Sequence, residues 1–78
     1  MSYLQIEVRL FAHLRQKTPN GPLKLNLEEG STVQDLLNIL KLTEEQSLII
    51  MVNGKREYYE TILNNGDRVG IFPPVGGG

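Results

Sequence analysis

From Tyr3 to Leu10 every second residue is aliphatic: Leu4, Ile6, Val8 and Leu10 face one way, and Tyr3, Gln5, Glu7 and Arg9 the other. A period of two predicts a strand with one buried face. After Leu10 the rhythm changes. Leu10, Phe11 and Leu14 fall at helical spacing, and Arg15 and Lys17 stand where cations suit a helix C-terminus, so a short helix is predicted over Phe11–Lys17. Thr18-Pro19 stops it, Asn20-Gly21-Pro22 turns the chain, and Leu23-Lys24-Leu25-Asn26-Leu27 alternates again as a second strand. Beyond the turn at Glu28-Glu29-Gly30, Ser31 and Gln34 read as a capping box, with Thr32 and Asp35 as the neighbouring register. Val33, Leu36, Leu37 and Leu40 then form one apolar stripe, which predicts a helix with a single face packed on a sheet.

Thr43-Glu44-Glu45-Gln46 offers a cap for one further turn. The run Leu48-Ile49-Ile50-Met51-Val52 is apolar throughout, as expected of a strand covered on both sides or central in a sheet. Asn53-Gly54 signals a type I′ hairpin into Lys55-Arg56-Glu57. Tyr58-Tyr59 and Thr61-Ile62-Leu63 read as a crossing segment with one or two residues inserted into the core. Asn64-Asn65-Gly66-Asp67 turns the chain into a last strand, Arg68–Phe72. The order implies an α+β domain: a mixed sheet, one main helix on one face, and a short helix after the first strand.

The end of the chain has a different character. Pro73 and Pro74 lack an N–H and hold φ near −65°, so ladder pairing should stop at or just after Phe72. Residues before a proline are pushed toward extended conformations, which makes the exit a stiff spur. Val75, Gly76, Gly77 and Gly78 complete it. The chain thus divides into a domain over 1–72 and a tail over 73–78, able to reach roughly 20 Å at about 3.3–3.6 Å per residue. Two readings stand at this point. Either the terminal carboxylate is the working group, or the tail is an inert spacer of the kind common at chain ends.

Composition narrows the classes. A formal net charge of −1 provides no basic footprint, which disfavours nucleic acid as a partner. Neither an apolar run of membrane-spanning length nor a basic-then-apolar start is present, so no membrane partner and a cytoplasmic location are expected. Without cysteine there is no thiolate nucleophile, iron–sulfur cluster or cysteine zinc site, and the single His13 reads as an exposed helix residue, not as a metal or catalytic centre. There is no Gly-x-x-x-x-Gly-Lys-Ser/Thr loop, so the chain is not expected to use ATP unaided. A 78-residue domain holds a stability margin of about a few kcal/mol, which suits a small adaptor or carrier better than an enzyme with a deep site.

Five stretches resemble a known family when taken in order: Val8-Arg9-Leu10-Phe11-Ala12-His13-Leu14-Arg15, Gly30-Ser31-Thr32-Val33-Gln34-Asp35-Leu36-Leu37, Val52-Asn53-Gly54, Asn65-Gly66-Asp67-Arg68-Val69, and Phe72-Pro73-Pro74-Val75-Gly76-Gly77-Gly78. Together they resemble the ubiquitin-like sulfur carriers, and among them the small subunits of molybdopterin synthase. The insert Phe11–Lys17 and the Phe-Pro-Pro ending are similar to that branch more than to the related thiamine-biosynthesis carriers. Gly76 stands where the family often has Ser or Ala, and Lys41–Gln46 is short for it. Lys55-Arg56-Glu57-Tyr58-Tyr59, more basic and aromatic than the family pattern, reads as an edge strand with solvated charges.

The resemblance implies a β-grasp fold and a carrier cycle. An adenylating, ubiquitin-activating-like partner enzyme would use Mg and ATP to activate the Gly78 carboxylate. Sulfur from a persulfide donor would leave a thiocarboxylate, and the tail would enter the large subunit of molybdopterin synthase, where sulfur builds the dithiolene of molybdenum or tungsten cofactor. The carrier itself would bind no cofactor. Residue chemistry agrees with this cycle. An α-carboxyl with a pKa of about 3.3–3.7 is ionised and a poor electrophile until activated. Gly77 and Gly78 lack a Cβ, so the carboxyl can thread a narrow slot. Phe72, Pro73, Pro74, Val75, Gly76 and Phe11 are the candidate partner contacts, because aromatic and apolar groups dominate interface energetics. Phe11 and Phe72 could equally close the core. Three alternatives remain open: a ubiquitin-like protein modifier that joins Gly78 to lysines, a thiamine-type sulfur carrier, and a binding module with an inert tail.

Overall fold

The alternation of β1 (Tyr3–Leu10) sorts its side chains cleanly: Leu4, Ile6, Val8 and Leu10 are buried, while Tyr3, Gln5 and Arg9 are exposed. The computed structural model describes residues 2–42 and 47–74. In it, β1 joins β2 (Leu23–Glu28), β3 (Ile49–Val52), β4 (Lys55–Glu57) and β5 (Arg68–Phe72) in one sheet of order β2-β1-β5-β3-β4. β1 and β5 run parallel, from Glu7↔Arg68 to Leu10↔Ile71, and every other neighbouring pair is antiparallel. The first and last strands therefore sit side by side in the middle of a mixed sheet. This is the ubiquitin-like β-grasp arrangement.

Helix α1 (Val33–Ile39) lays Val33, Leu36 and Leu37 on one face of the sheet, where they meet Ile6, Val8, Ile50, Val69 and Ile71. Its N-terminus uses the second of the two capping registers. Thr32 Oγ1 accepts the Asp35 N–H at 3.2 Å, and the Asp35 carboxylate accepts the Thr32 N–H at 2.9 Å. The Ser31–Gln34 box does not form because the crossing segment occupies that part of the chain. Val33 N–H donates to Thr61 O, Gln34 N–H to Tyr59 O, and Leu63 N–H to Ser31 O. The same segment inserts Leu63 into the core and packs Tyr59 against it, while Ile62 remains exposed. The Tyr59 hydroxyl accepts the Leu48 N–H at 3.1 Å.

Two further expectations are refined, and the hairpin turn forms as expected. The segment after β1 is a 3₁₀ helix over Ala12–Lys17 that buries Leu14, and Phe11 stays outside it with extended φ −119° and ψ 161°. Phe11 N–H donates to Ile71 O, so this residue continues the β ladder and its side chain takes the face opposite Leu10. β3 has strands on both sides but is not covered on both faces: Ile50 and Val52 face the helix, and Ile49 and Met51 are only half-buried. Asn53 and Gly54 have φ of 53° and 83°, both positive as a type I′ turn requires. The further turn expected at Thr43–Gln46 lies outside the described residues.

Candidate functional site

The sheet face away from α1 is polar over most of its area and turns apolar at the end of β5, where the tail departs. Register brings this about. Leu10 is paired with Ile71, so the next residues, Phe11 and Phe72, fall side by side on the outer face. Their rings stack with centroids 4.2 Å apart and planes 6° from parallel. They lie over Gly70: a Cβ built there would sit 3.3 Å from Phe11 Cε2 and 3.3 Å from Phe72 Cε1. A glycine inside a strand leaves room for such a close approach. Ala12 then takes φ 55°, turning the chain off the strand directly after the aromatic residue.

Ile49 pairs with Phe72 and Met51 with Gly70, which sets both half-buried side chains beside the aromatic pair. Phe11, Ile49, Met51, Phe72, Pro73 and Pro74 border an open groove of about 750 Å³. Pairing of β5 ends at Phe72, as the two prolines predict, with Pro73 half-buried and Pro74 exposed. Of the candidate contacts, the structure thus unites Phe11, Phe72, Pro73 and Pro74. Neither phenylalanine belongs to the helix-side core. Val75, Gly76, Gly77 and Gly78 lie outside the described residues. His13 is exposed on the 3₁₀ segment at the edge of the same groove.

At the opposite end of β5 a polar clamp holds this register. Asp67, 7% exposed, accepts the Asn64 N–H at 2.8 Å and the Asn53 side-chain amide at 2.9 Å. Asn53 Oδ1 in turn accepts the Arg68 N–H at 2.9 Å, and Asn53 N–H donates to Arg68 O. Two of the family-like stretches, Val52-Asn53-Gly54 and Asn65-Gly66-Asp67-Arg68-Val69, are therefore one structural unit. It fixes where β5 begins and so where Gly70 and Phe72 fall.

Sequence reasoning did not single out Ala12, Ile49, Met51 or Gly70 as part of a site. The lone glycine inside an alternating strand was the available signal for Gly70. Nothing in the described residues resembles a metal centre: no group of three or more His, Cys, Asp or Glu is placed to hold an ion. No helix among them is long and apolar enough to cross a membrane. Among the described residues, this face is an apolar surface at the point where the chain leaves β5.

Fold and face together define a ubiquitin-like domain that offers an apolar seat where its C-terminal tail leaves. Comparison with known proteins carries this further. Residues 8–78 match the model of the ThiS family, and the chain belongs to that family of ubiquitin-like sulfur carriers. It is 34% identical to the molybdopterin synthase sulfur carrier subunit of Arabidopsis thaliana, over 99% of this chain and 86% of that protein. It is 27% identical to small archaeal modifier protein 3 of Haloferax volcanii, over 96% of this chain and 100% of that one. Among solved structures, molybdopterin converting factor subunit 1 of Pyrococcus furiosus superposes with a TM-score of 0.79 at 31% identity, covering 92% of this chain and 99% of that one. A chain of the complex between subunits 1 and 2 of the Helicobacter pylori factor gives a TM-score of 0.64 at 25% identity, with coverage of 96% and 100%.

Proposed function

We propose that this protein is the sulfur-carrier subunit of a molybdopterin synthase, working in the cytoplasm. The observation that carries the reading is the groove of Phe11, Ile49, Met51 and Phe72 at the root of the Pro73-Pro74 tail. A carrier must dock by a surface continuous with the arm it inserts, and this face supplies one. The likeness to a carrier subunit along 99% of the chain, and to a chain from a complex of subunits 1 and 2, supports a large synthase subunit as the partner.

In the cycle, an oxygen of the Gly78 carboxylate attacks the α-phosphorus of ATP on an adenylating enzyme, with Mg supplied there, and pyrophosphate leaves. The terminal sulfur of a persulfide displaces AMP. A thiol then reduces the new S–S bond, leaving a thiocarboxylate on Gly78 and a disulfide on the donor side. In the large subunit the sulfur passes to the pterin precursor, and water returns the terminus to a carboxylate. Gly77 and Gly78 keep the reacting carbon free of side-chain bulk. Phe72, Pro73, Pro74, Val75, Gly76 and Phe11 hold the partner.

Intact mass spectrometry after incubation with the adenylating enzyme, Mg-ATP and a persulfide donor tests this. The expected result is a mass gain equal to one oxygen exchanged for one sulfur, lost when Gly78 is deleted. An unchanged mass, with the enzyme active on another carrier, would sink the reading. Likeness to an archaeal modifier favours a second one, in which the activated Gly78 is joined to lysines. Its mark is a ladder of covalent conjugates in cells that vanishes with Gly78.

A further inference from the structure

The outer face carries a charge pattern that the apolar groove does not account for. Strand register sets Arg9, Gly70, Met51 and Arg56 in one row across the sheet, with Arg68 two residues before Gly70 on β5. Between Arg9, Arg68 and the aromatic pair lies a recess of about 400 Å³, reaching down to Gly70 and Val69. Arg9 is 3.5 Å from the Glu7 carboxylate with its side chain 62% exposed. Arg56 lies 5.4 Å over the Tyr58 ring, and among the described residues Arg68 has no carboxylate at ion-pair distance. Lys24, across from Glu7, extends the set. Four of the chain's eight Lys and Arg residues thus share this face, with Glu7 the one carboxylate in their rows, although the whole chain has a net charge of −1. Glu28, across from Tyr3, is a second carboxylate on this face, at its far end from the groove. Of the other described acidic groups, Asp35 caps α1, Glu57 stands opposite the helix-facing Ile50, and Asp67 is buried in its clamp.

We infer that the protein partner covering the Phe11–Phe72 groove meets it with a rim of carboxylates, and that Arg68, Arg56 and Arg9 steer and orient that partner. The inference rests on the reading above, in which a partner docks on this groove. Guanidinium groups suit the role. They are weakly hydrated, lie flat on apolar surface and pair with carboxylates through two parallel hydrogen bonds. Set around a patch from which docking expels water, they attract an acidic rim more strongly than they would on an open polar surface. A nucleic acid fits less well, because its evenly spaced phosphates call for a continuous cationic stripe, and here the cations surround an apolar centre.

Stopped-flow association of the full chain with the large synthase subunit, from about 20 mM to about 500 mM salt, tests the inference. The wild-type association rate should fall at least about tenfold across that range. Arg68→Gln combined with Arg56→Gln should slow association about tenfold at low salt and converge on wild type at high salt. Glutamine is chosen because a carboxylate at position 68 would face Glu7 across the β1–β5 pair. Phe72→Ala should weaken affinity at every salt concentration. Rates indifferent to salt and to the arginine changes, with Phe72→Ala still weakening the complex, would overturn the rim and leave the proposed function intact. No binding at all, by a large subunit competent toward another carrier, would overturn both. A single strand of about 12 nucleotides that binds as tightly and is lost with the same arginines would also overturn it, by making the face a general polyanion site.

Discussion

Ile71 and Phe72 are neighbours on one strand, and their side chains live in different chemistries. Ile71 is fully buried in the core that α1 forms with the inward residues of β1, β2 and β3, whereas Phe72 lies half-buried on the other face, flat against Phe11. The helix side is filled by aliphatic groups, with Tyr59 packed at its margin, and supplies most of the domain's buried apolar surface. The outer side contributes less to stability and keeps its aromatic pair, its prolines and its arginines available. A domain this small can serve as a carrier because one face of the sheet is enough to fold it.

The sharpest way to break the comparison is to truncate each neighbour in turn. Ile71→Ala should cost about 2–5 kcal/mol, most of the stability available to a domain of this size, and abolish a cooperative urea transition. Asp67→Ala should come next at about 2–3 kcal/mol, since it leaves the Asn64 N–H and the Asn53 amide without their charged acceptor. Equilibrium denaturation with an unshifted midpoint would show the clamp to be dispensable. Phe72→Ala should cost only about 1–2 kcal/mol of stability, because the side chain is half-buried and the stacked pair adds about 0.5–1.5 kcal/mol. Its affinity for the partner should nonetheless fall about thirtyfold or more, as for a docking anchor. Equal damage to stability by Ile71→Ala and Phe72→Ala would erase the distinction between the faces.

Gly70→Val sharpens the same contrast without removing an aromatic ring. The added side chain must displace both rings, at a cost of about 1 kcal/mol in stability, and calorimetric titration should show weaker docking than that small loss suggests. Ala12→Gly is the smallest change. It relieves a positive φ that costs an alanine about 1 kcal/mol, so the thermal midpoint should rise slightly or hold, and a clear drop would show that Ala12 packing matters more than its backbone.

Much of the helix side was legible in the sequence because burial on one face imposes strict periods: two in β1 and the 3.6 of α1. The Asn53-Gly54 turn was legible for a local reason, the positive φ it demands. The capping register was less so, since Ser31 and Thr32 are equivalent by residue type and the choice is made by Thr61 and Tyr59, far along the chain. The site was half legible. Two prolines after Phe72 announce where the ladder ends, yet the place of Phe11 depends on a parallel pairing between residues about sixty positions apart, which no local pattern encodes. Ile49 and Met51 misled for a related reason. An apolar residue on a half-covered face looks the same in sequence as one in a core, and only the register shows that it borders a groove.

The parallel pairing of β1 with β5 also constrains how the molecule is made. The first strand of the sheet to leave the ribosome waits for the last of the five before the middle of the sheet can close. Until residues 68–72 emerge, β1 has only β2 to pair with in the sheet, with α1 available to cover its inward face, and a two-stranded hairpin is marginal in water unless something packs on it. The middle of the sheet, with the β1–β5 pairing that places Phe11 beside Phe72, can therefore close only once β5 is free.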